Sequence, residues 1–250
     1  MKSGLKSEKG RPSGERIAKH LARAGVGSRR DVEAMIAAGR VAVDGRVLES
    51  PVFFVATGQR ITVDGKVITP PEGTRLWRYY KPRGLVTTAR DPQGRPTVFD
   101  KLSKHLPRVV AVGRLDLDSE GLLLLTNDGA LARQLELPAS GWQRRYRVRV
   151  RGRPDAAALA GLRSGMTVRG VAYGSIEASL EREMSGNSWL TVTLREGKNR
   201  EIRRVFEHLG HPVSRLIRIA FGPFELGSLS PGTVEEVPAK FLREQFRVAR

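Results

Sequence analysis

Cysteine does not occur in this sequence of 250 residues, which excludes disulfide bonds, thiolate metal sites and a cysteine nucleophile. Histidine is scarce, and its four positions are too scattered to suggest a metal site: His20, His105, His208 and His211. Long apolar runs are missing as well. The longest aliphatic stretches, at 109–112 and 122–125, are far shorter than the about 20 residues that a membrane-spanning helix needs. We therefore expect neither a metal nor a membrane span.

Acidic residues are under-represented. The chain has 26 aspartates and glutamates against 44 lysines and arginines, which gives a formal net charge of +18. Such an excess favours a partner with dense negative charge, most often a nucleic acid. An anionic membrane surface is the competing interpretation, but the sequence has no long helix with one basic and one bulky apolar face. The first 16 residues lack the apolar segment of a secretory signal, and Glu8 and Glu15 disfavour a transit peptide. A soluble cytoplasmic protein is expected.

The N-terminal part of the chain divides into a tail and a small module. Residues 1–13 are basic and polar, so we expect them to form a disordered tail. From there, Ile17 and Leu21 mark one face of a helix. Ser28 followed by Asp31 is the pattern of a capping box, which predicts the start of a second helix.

Two hairpins are expected to complete this module, which we place at 14–69. Asp-Gly pairs at 44–45 and 64–65 directly follow short apolar stretches at 41–43 and 61–63. Asp-Gly is a strong signal for a two-residue hairpin turn, because both residues tolerate positive φ. The pattern therefore predicts two helices followed by short antiparallel strands.

Four arginines of the module cluster around its helix ends and turns: Arg29, Arg30, Arg40 and Arg46. Taken singly, each is as well explained by a solvated surface. Together they favour a grip on an RNA backbone, because arginine gains binding free energy by releasing condensed counterions. The stretch HLARAGVGSRRDVEAMIAAGRVAVDGRV, at 20–47, resembles an S4 RNA-binding domain.

A second domain is expected after a Pro/Gly-rich linker at 70–75. It should span 76–240 and be followed by a basic C-terminal tail at 241–250. Short strands alternate with few helices, which indicates an α+β domain with a mixed, mainly antiparallel sheet. The expected strands lie at 75–80, 109–112, 145–150 and 189–194, and the expected helices at 155–162 and 200–209.

The most informative segment of the second domain is GRLDLDSEGLLLLTNDG, at 113–129. Its four leucines predict a buried strand, and Asp116 stands just before that strand. An aspartate at such a place is either a structural turn former or a reactive group. In a basic chain without a cysteine nucleophile, a carboxylate in an RNA cleft can act as nucleophile or base.

Two further segments accompany Asp116. In EGKNREIRR, at 196–204, Ile202 is expected to face the core, so Arg203 lies beside a buried edge. There its guanidinium can make a bidentate pair with Asp116, although a solvated helix start explains the segment as well. Tyr146, within RRYRV, is either core filler or a ring that stacks on a base.

These three segments, in this order, resemble the ribosomal pseudouridine synthases that carry an S4 domain, and the resemblance covers residues 15 to about 235. The segments at 79–103 and 214–222 are most similar to the ribosomal large subunit pseudouridine synthase B branch. By motif, the resemblance implies that Asp116 is the catalytic aspartate. It implies support from Arg114, Tyr146, Arg203 and Leu216, with Arg204 as an alternative to Arg203. Arg200 and Glu201 depart from the His-Gln pair of other branches, so no role is assigned to them.

The implied reaction is the isomerisation of uridine to pseudouridine in ribosomal RNA, most specifically 23S rRNA, with an aspartate nucleophile acting on a flipped-out uridine and with no cofactor. The implied partner is ribosomal RNA or a ribosomal subunit precursor, bound by a monomer. The arginines expected to bind RNA are Arg29, Arg30, Arg40, Arg46, Arg145 and Arg147. Two alternatives stay open: the same chemistry on 16S rRNA, and a non-catalytic RNA-binding ribosome assembly factor.

Overall fold

The computed structural model describes residues 14–102, 105–137 and 140–246. The expected disordered tail at 1–13 lies outside the described residues. The contacts divide the chain into two compact units, and the boundary in the sequence lies between Gly73 and Thr74. None of the described helices is long and apolar enough to cross a membrane.

The N-terminal unit packs two helices against short strands. Its elements are β1 (Glu15–Arg16), α1 (Ile17–Arg23), α2 (Arg29–Ala37), β2 (Val41–Val43), β3 (Arg46–Val47), β4 (Phe54–Val55), β5 (Ile61–Val63) and β6 (Lys66–Val67). Ile17 and Leu21 of α1 are fully buried. The capping box is confirmed, because the Ser28 hydroxyl accepts the Asp31 N–H and the Asp31 carboxylate accepts the Ser28 N–H.

The two hairpins expected from the Asp-Gly pairs are present. Strands β3, β2, β5 and β6 form an antiparallel sheet in that order, with the turns between β2 and β3 and between β5 and β6. Asp44 and Asp64 both have φ of 50°, and the glycines that follow them also have positive φ. Two successive residues with positive φ match the right-handed twist of the strands that the turn joins.

The C-terminal unit is built on one nine-stranded sheet. Its elements are β7 (Leu76–Lys81), β8 (Val110–Val112), β9 (Glu120–Thr126), α3 (Gly129–Glu136), β10 (Arg144–Arg151), α4 (Ala156–Gly161), β11 (Met166–Val168), β12 (Val171–Tyr173), β13 (Ile176–Met184), β14 (Asn187–Leu194), α5 (Glu201–His208), β15 (Val213–Phe221), β16 (Phe224–Glu225), β17 (Val234–Glu236) and α6 (Ala239–Gln245). The sheet order is β13-β14-β10-β15-β9-β7-β17, with β16 beside β15 and β8 beside β9. Among the described strands of this sheet, β9 and β15 form the one parallel pair. The expected α+β class with a mixed, mainly antiparallel sheet is confirmed.

The leucine strand β9 is covered on both faces. Leu123 and Leu125 belong to one hydrophobic cluster, and Leu122 and Leu124 belong to the cluster on the opposite face. A strand buried on both sides reads as a continuous apolar run instead of an alternating pattern. This explains the four consecutive leucines.

Close packing next to the leucines depends on Gly121, at the start of β9. Its φ is 103°, and a Cβ atom there would lie 2.4 Å from the Arg218 carbonyl oxygen of β15. Both facts require glycine. Gly121 thus allows the parallel pairing of β9 with β15. This pairing begins directly after the loop that carries Asp116.

The C-terminal end differs from the sequence prediction. A basic tail was expected at 241–250, whereas the structure continues into α6 and buries Leu242 and Phe246. Phe246 stacks on Phe224, with ring centroids 6.1 Å apart. The apolar residues of this segment indicate that it packs against the core. The sequence analysis overlooked them because arginines surround them.

Candidate active site

Asp116 lies in the loop that joins β8 to β9, on the wall of a cleft of about 1480 Å³. Its side chain is 32% exposed. The neighbouring Leu115 is buried and Leu117 is exposed, so the loop is anchored by one leucine and open on its other side. The carboxylate is thereby held at the surface of the cleft.

Lys81, the last residue of β7, supports this loop from below. Its side chain is fully buried, and its ammonium donates hydrogen bonds to the carbonyl oxygens of Pro82, Asp116 and Ser119 at 3.0, 3.1 and 2.8 Å. All three of its donors are therefore used. Burial lowers the pKa of Lys81 to about 8, against the opposing effect of nearby carboxylates, among which Asp116 is the strongest. The sequence analysis did not single out Lys81, although it lies within the quoted 79–103 segment.

Thr87 holds the same loop from a second side. Its hydroxyl donates to the Leu115 carbonyl oxygen at 2.9 Å and accepts the Leu115 N–H at 3.3 Å. Leu115 directly precedes Asp116, so the two clamps fix successive peptide groups. The sequence analysis missed Thr87 as well, and nothing in its local pattern indicates this contact.

The arginines from the EGKNREIRR segment face the loop, but with a different pairing from the expected one. Arg203 contacts Asp118, at 3.3 Å from its carboxylate and 3.1 Å from its carbonyl oxygen, instead of forming a bidentate pair with Asp116. Asp116 acts on Arg203 only at longer range, where its charge raises the arginine pKa against the stronger lowering by burial. Arg204, the alternative, is exposed and donates to Asn199.

Arg200 is the cation nearest to Asp116 among the described ion pairs. Its Nη1 atom lies 3.8 Å from the Asp116 carboxylate and 3.2 Å from that of Asp118. Arg200 precedes α5 in a left-handed conformation, with φ of 52°. Its side chain lines the cleft. The sequence analysis had assigned no role to this position.

Tyr146 and Leu216 both line the cleft, on adjacent strands. Tyr146 is on β10 and is 9% exposed, and Leu216 is on the adjacent β15 and is also buried. Both belong to the same hydrophobic cluster. Leu216 is paired with Val148, two residues along β10 from Tyr146, and its role as the apolar contact behind the tyrosine stays a prediction.

Arg218 is a buried cation in the same wall. It pairs with Tyr146 across β10 and β15, and its Nε donates to the Leu122 carbonyl oxygen at 2.7 Å. Burial lowers the pKa of Arg218, and the adjacent Tyr146 opposes that effect. The sequence signal for this residue is a charge inside the apolar stretch of β15.

The mouth of the cleft is basic. Arg114 is exposed there, next to Asp116. Other arginines line the cleft at positions 90, 95, 108, 144 and 200. Asp91 neutralises Arg95 at 2.8 Å, and the remaining excess of arginines over carboxylates is suited to a polyanion.

Arg145 and Arg147 are not brought into this cleft. Side chains alternate between the two faces of a strand, so these arginines point away from Tyr146. Arg145 pairs with Glu225 at 2.8 Å, and Arg147 pairs with Glu181 at 2.8 Å. The expectation that both arginines bind RNA therefore stays a prediction, and it concerns the face of β10 opposite Tyr146.

In the N-terminal unit, the expected RNA-binding arginines differ in whether a carboxylate of the protein already engages them. Arg29, Arg30 and Arg46 are exposed. Arg40 is held in a bidentate pair with Asp64, at 2.7 and 2.6 Å. Its guanidinium is therefore already engaged, whereas the other three sites are open to a ligand.

Comparisons with known proteins agree on both units. The family model described as RNA pseudouridylate synthase matches residues 75–208, and the S4 domain model matches residues 15–61. An uncharacterised RNA pseudouridine synthase of Rickettsia prowazekii is 47% identical over 230 residues, which cover 92% of this chain and 97% of that protein. The ribosomal large subunit pseudouridine synthase B of Haemophilus influenzae is 44% identical over 248 residues, which cover 95% of this chain and 70% of that protein.

The fold has a counterpart among solved structures. A crystal structure of a pseudouridylate synthase matches with a TM-score of 0.63 and 24% sequence identity, covering 92% of this chain and 99% of that one. At that identity the likeness concerns the fold alone. It extends over both units of the chain.

Proposed function

The chain belongs to the RNA pseudouridylate synthase family and carries an S4 domain at its N-terminal end, and from this premise we propose that it converts a uridine of large-subunit ribosomal RNA to pseudouridine. The relatives named ribosomal large subunit pseudouridine synthase B support this substrate, at 44% identity in Haemophilus influenzae and 45% in Shigella flexneri. The net charge of +18 and the basic cleft support RNA as the ligand, but they do not distinguish large-subunit from small-subunit ribosomal RNA.

The observation that carries the proposal is the environment of Asp116. A half-exposed carboxylate lies on the wall of a large basic cleft, with its backbone clamped by Lys81 and Thr87 and with Arg200 at 3.8 Å. A turn-forming aspartate needs none of these supports. A reactive one benefits from each, because catalysis depends on holding the reacting atom in place.

In the proposed reaction Asp116 attacks C1′ of the target ribose, and the N1–C1′ bond breaks as uracil leaves with its electron pair. The freed base turns so that C5 faces C1′. The C5–C1′ bond then forms while the carboxylate of Asp116 departs, so the aspartate is regenerated. The proton at C5 is lost to a base and N1 gains one, which makes the reaction an isomerisation. In the alternative route, Asp116 assists the departure of the base without bonding to C1′.

The target base has to leave its stack before Asp116 can reach the ribose, at a cost of a few kcal/mol. A cleft of about 1480 Å³ has room for an extruded nucleotide. We assign Tyr146 to stacking on the flipped uracil, with Leu216 as its apolar neighbour. Arg114, exposed at the mouth, is assigned to the space that the base vacates.

Substrate affinity is proposed to come mainly from the S4 domain. Arg29, Arg30 and Arg46 are exposed there, and cations of this kind position RNA by contacts to phosphates without reading its sequence. Selection of one uridine is then left to the cleft and to the shape of the RNA around it.

The direct test is to incubate the purified protein with transcripts of large-subunit and small-subunit ribosomal RNA and to map pseudouridine by carbodiimide treatment and primer extension. One new stop in the large-subunit transcript is expected. A stop in the small-subunit RNA alone would move the activity to the other subunit. Tight binding with no stop in either RNA, in naked or assembled form, would identify an assembly factor instead of an enzyme.

A further inference from the structure

Arg200 lies in the turn before α5, between Glu196 and Glu201 in the sequence. The carboxyl groups of these two glutamates each bind a backbone N–H group. Glu201 is 4% exposed and lies in the cleft wall. Its Oε2 atom accepts the Lys198 N–H at 3.0 Å, and its own N–H donates to the Lys198 carbonyl oxygen at 3.2 Å. The turn is thus tied to Glu201 through both the side chain and the main chain.

Glu196 anchors the other end of the turn as an anion. Its Oε1 atom accepts the Gly174 N–H at 2.6 Å, and its Oε2 atom lies 2.7 Å from the Lys198 ammonium. That ammonium also donates to the Ala172 carbonyl oxygen at 2.7 Å. The Lys198 ammonium thus pairs directly with Glu196, whereas its charge lowers the pKa of Glu201 less than burial and Glu196 raise it.

The second carboxyl oxygen of Glu201 shows how the two groups meet. Its Oε1 atom is buried and has no N–H or O–H partner among the described residues. The carboxyl group of Glu201 interacts with that of Glu196, and this interaction raises the pKa of Glu201. Two carboxyl groups attract each other only when one of them carries a proton to donate. Burial, followed by the contact with Glu196, raises the pKa of Glu201 to about 7.

Among the described residues, β10 brings one further charge to this turn: the Arg144 guanidinium lies against Gly197 and donates to the carbonyl oxygens of Trp142 and Arg195. Strand β11 has the sequence MTV, which contains no ionisable residue. On β15, Arg215 is engaged by Glu120 and Arg218 by Leu122 and Tyr146. On β12, the ring of Tyr173 faces the Lys198 ammonium at 5.8 Å. Lys198 is the cation that acts on the pKa values of both Glu196 and Glu201.

We propose that Glu201 is a positioning residue of this site: as a neutral acid it donates its proton to Glu196 and so holds the turn that presents Arg200 to Asp116 and Asp118. The proposal rests on the proposed function of the cleft. Loss of the shared proton places two anions against one ammonium. The repulsion then opens the turn, and Arg200 loses the left-handed conformation in which its side chain lines the cleft.

Glu201→Gln separates this role from simple packing, because a glutamine amide donates to Glu196 as the neutral acid does and does not titrate. The measurement is the single-turnover rate of pseudouridine formation from neutral to alkaline pH. The wild-type rate should fall above pH about 7, approaching a loss of about tenfold per pH unit. Glu201→Gln should keep its rate over the same range. The same profile in both proteins would overturn the proposal.

Two matched variants complete the series. Glu207→Gln makes the same change on the exposed face of α5 and should follow the wild-type profile. Glu196→Gln leaves a single titrating carboxyl group beside the Lys198 ammonium, so deprotonation of Glu201 creates no second anion and the fall in rate above pH about 7 should disappear. A Glu196→Gln profile that coincides with the wild-type profile would contradict the shared proton.

Thermal unfolding without RNA tests the pair independently of catalysis. A folded-state pKa of about 7, raised from 4.5, contributes stability that is fully present below pH about 4.5 and lost as pH rises through about 7. Glu201→Gln should therefore gain stability relative to the wild type across that window and hold a constant lead above it. A lead that does not depend on pH rejects the shared proton. The expected lead in proteins that form no pseudouridine supports the shared proton and rejects the proposed function.

Discussion

The Lys81 ammonium lies beneath Asp116 and donates a hydrogen bond of 3.1 Å to its carbonyl oxygen. The two residues are 35 positions apart, and the antiparallel pairing of β7 with β9, which sets Lys81 opposite Gly121, brings them together. The lysine thus supports the backbone of the carboxylate loop and contributes positive charge below it. Asp116 owes its placement to this support as much as to its own turn.

Asp116→Asn should abolish pseudouridine formation, by about a thousandfold or more, because an amide is a poor nucleophile. RNA affinity should stay close to that of the wild type, since the substitution removes a negative charge from a basic cleft. Single-turnover assays and filter binding check the two expectations. Asp118→Asn, two residues away, is the control: it weakens the contacts of Arg200 and Arg203 and should slow the reaction without abolishing it. Persistent turnover by Asp116→Asn would remove Asp116 from the mechanism.

Lys81→Met should change how stability depends on alkaline pH. Burial lowers the pKa of Lys81 from 10.5 to about 8, so raising the pH deprotonates this lysine in the folded state before the unfolded state. The resulting gain in folding stability is fully present above pH about 10.5 and is lost as pH falls through about 8. Between these values the wild type should gain about 1 kcal/mol per pH unit relative to Lys81→Met. Urea denaturation at several pH values measures the difference. A constant difference across this range would contradict the lowered pKa.

Thr87→Val should slow the reaction by about tenfold without changing KM, because valine has the shape of threonine but cannot hold the Leu115 peptide groups. The loss of the hydroxyl should also cost about 1 kcal/mol of unfolding free energy. Thr87→Ser keeps the hydroxyl and should restore most of the rate. If valine and serine behave alike, the hydroxyl does not position Asp116.

Tyr146→Phe keeps the ring and removes the phenol oxygen, so it should bind RNA as the wild type does. If the hydroxyl helps to remove the C5 proton, the rate should fall by about a hundredfold. Tyr146→Leu removes the ring as well and should weaken binding through lost stacking. An unchanged rate for the phenylalanine variant would leave Tyr146 with stacking alone.

Arg29→Gln combined with Arg30→Gln should weaken RNA binding and flatten its salt dependence. Each lost phosphate contact should reduce the slope of log affinity against log salt by about 0.7 to 0.9. Arg40→Gln is the matched control: its guanidinium is engaged by Asp64, so the slope should change little. Equal effects of the double variant and the control would argue against a phosphate grip by Arg29 and Arg30.

Local patterns anticipated much of the fold. The capping box at Ser28 and the Asp-Gly hairpins are confirmed, because their geometry is decided by neighbouring residues. The region from α3 to β13 was predicted less completely. Helix α3 was missed because the Asn-Asp-Gly sequence before it reads as a turn, whereas Asp128 in fact caps the helix.

The sequence indicated which residues lie at the candidate site better than it indicated which contacts they make. Asp116, Tyr146 and Leu216 all line one cleft. Arg203 is present at the site, but it contacts Asp118. The two aspartates are two residues apart on one loop, and their sequence does not state which of them faces α5.

Sequence motifs were enough to identify the family, the two units, the buried leucine strand and the carboxylate before it, because motifs, turn chemistry and hydrophobic period are local properties. The pairing of charges depends on the tertiary structure. The register of β7 on β9 puts Lys81 under Asp116, and the position of α5 brings Arg200 to 3.8 Å from the Asp116 carboxylate. Electrostatic partners are set by distances of a few ångströms between segments far apart in the chain, and no local pattern encodes those distances.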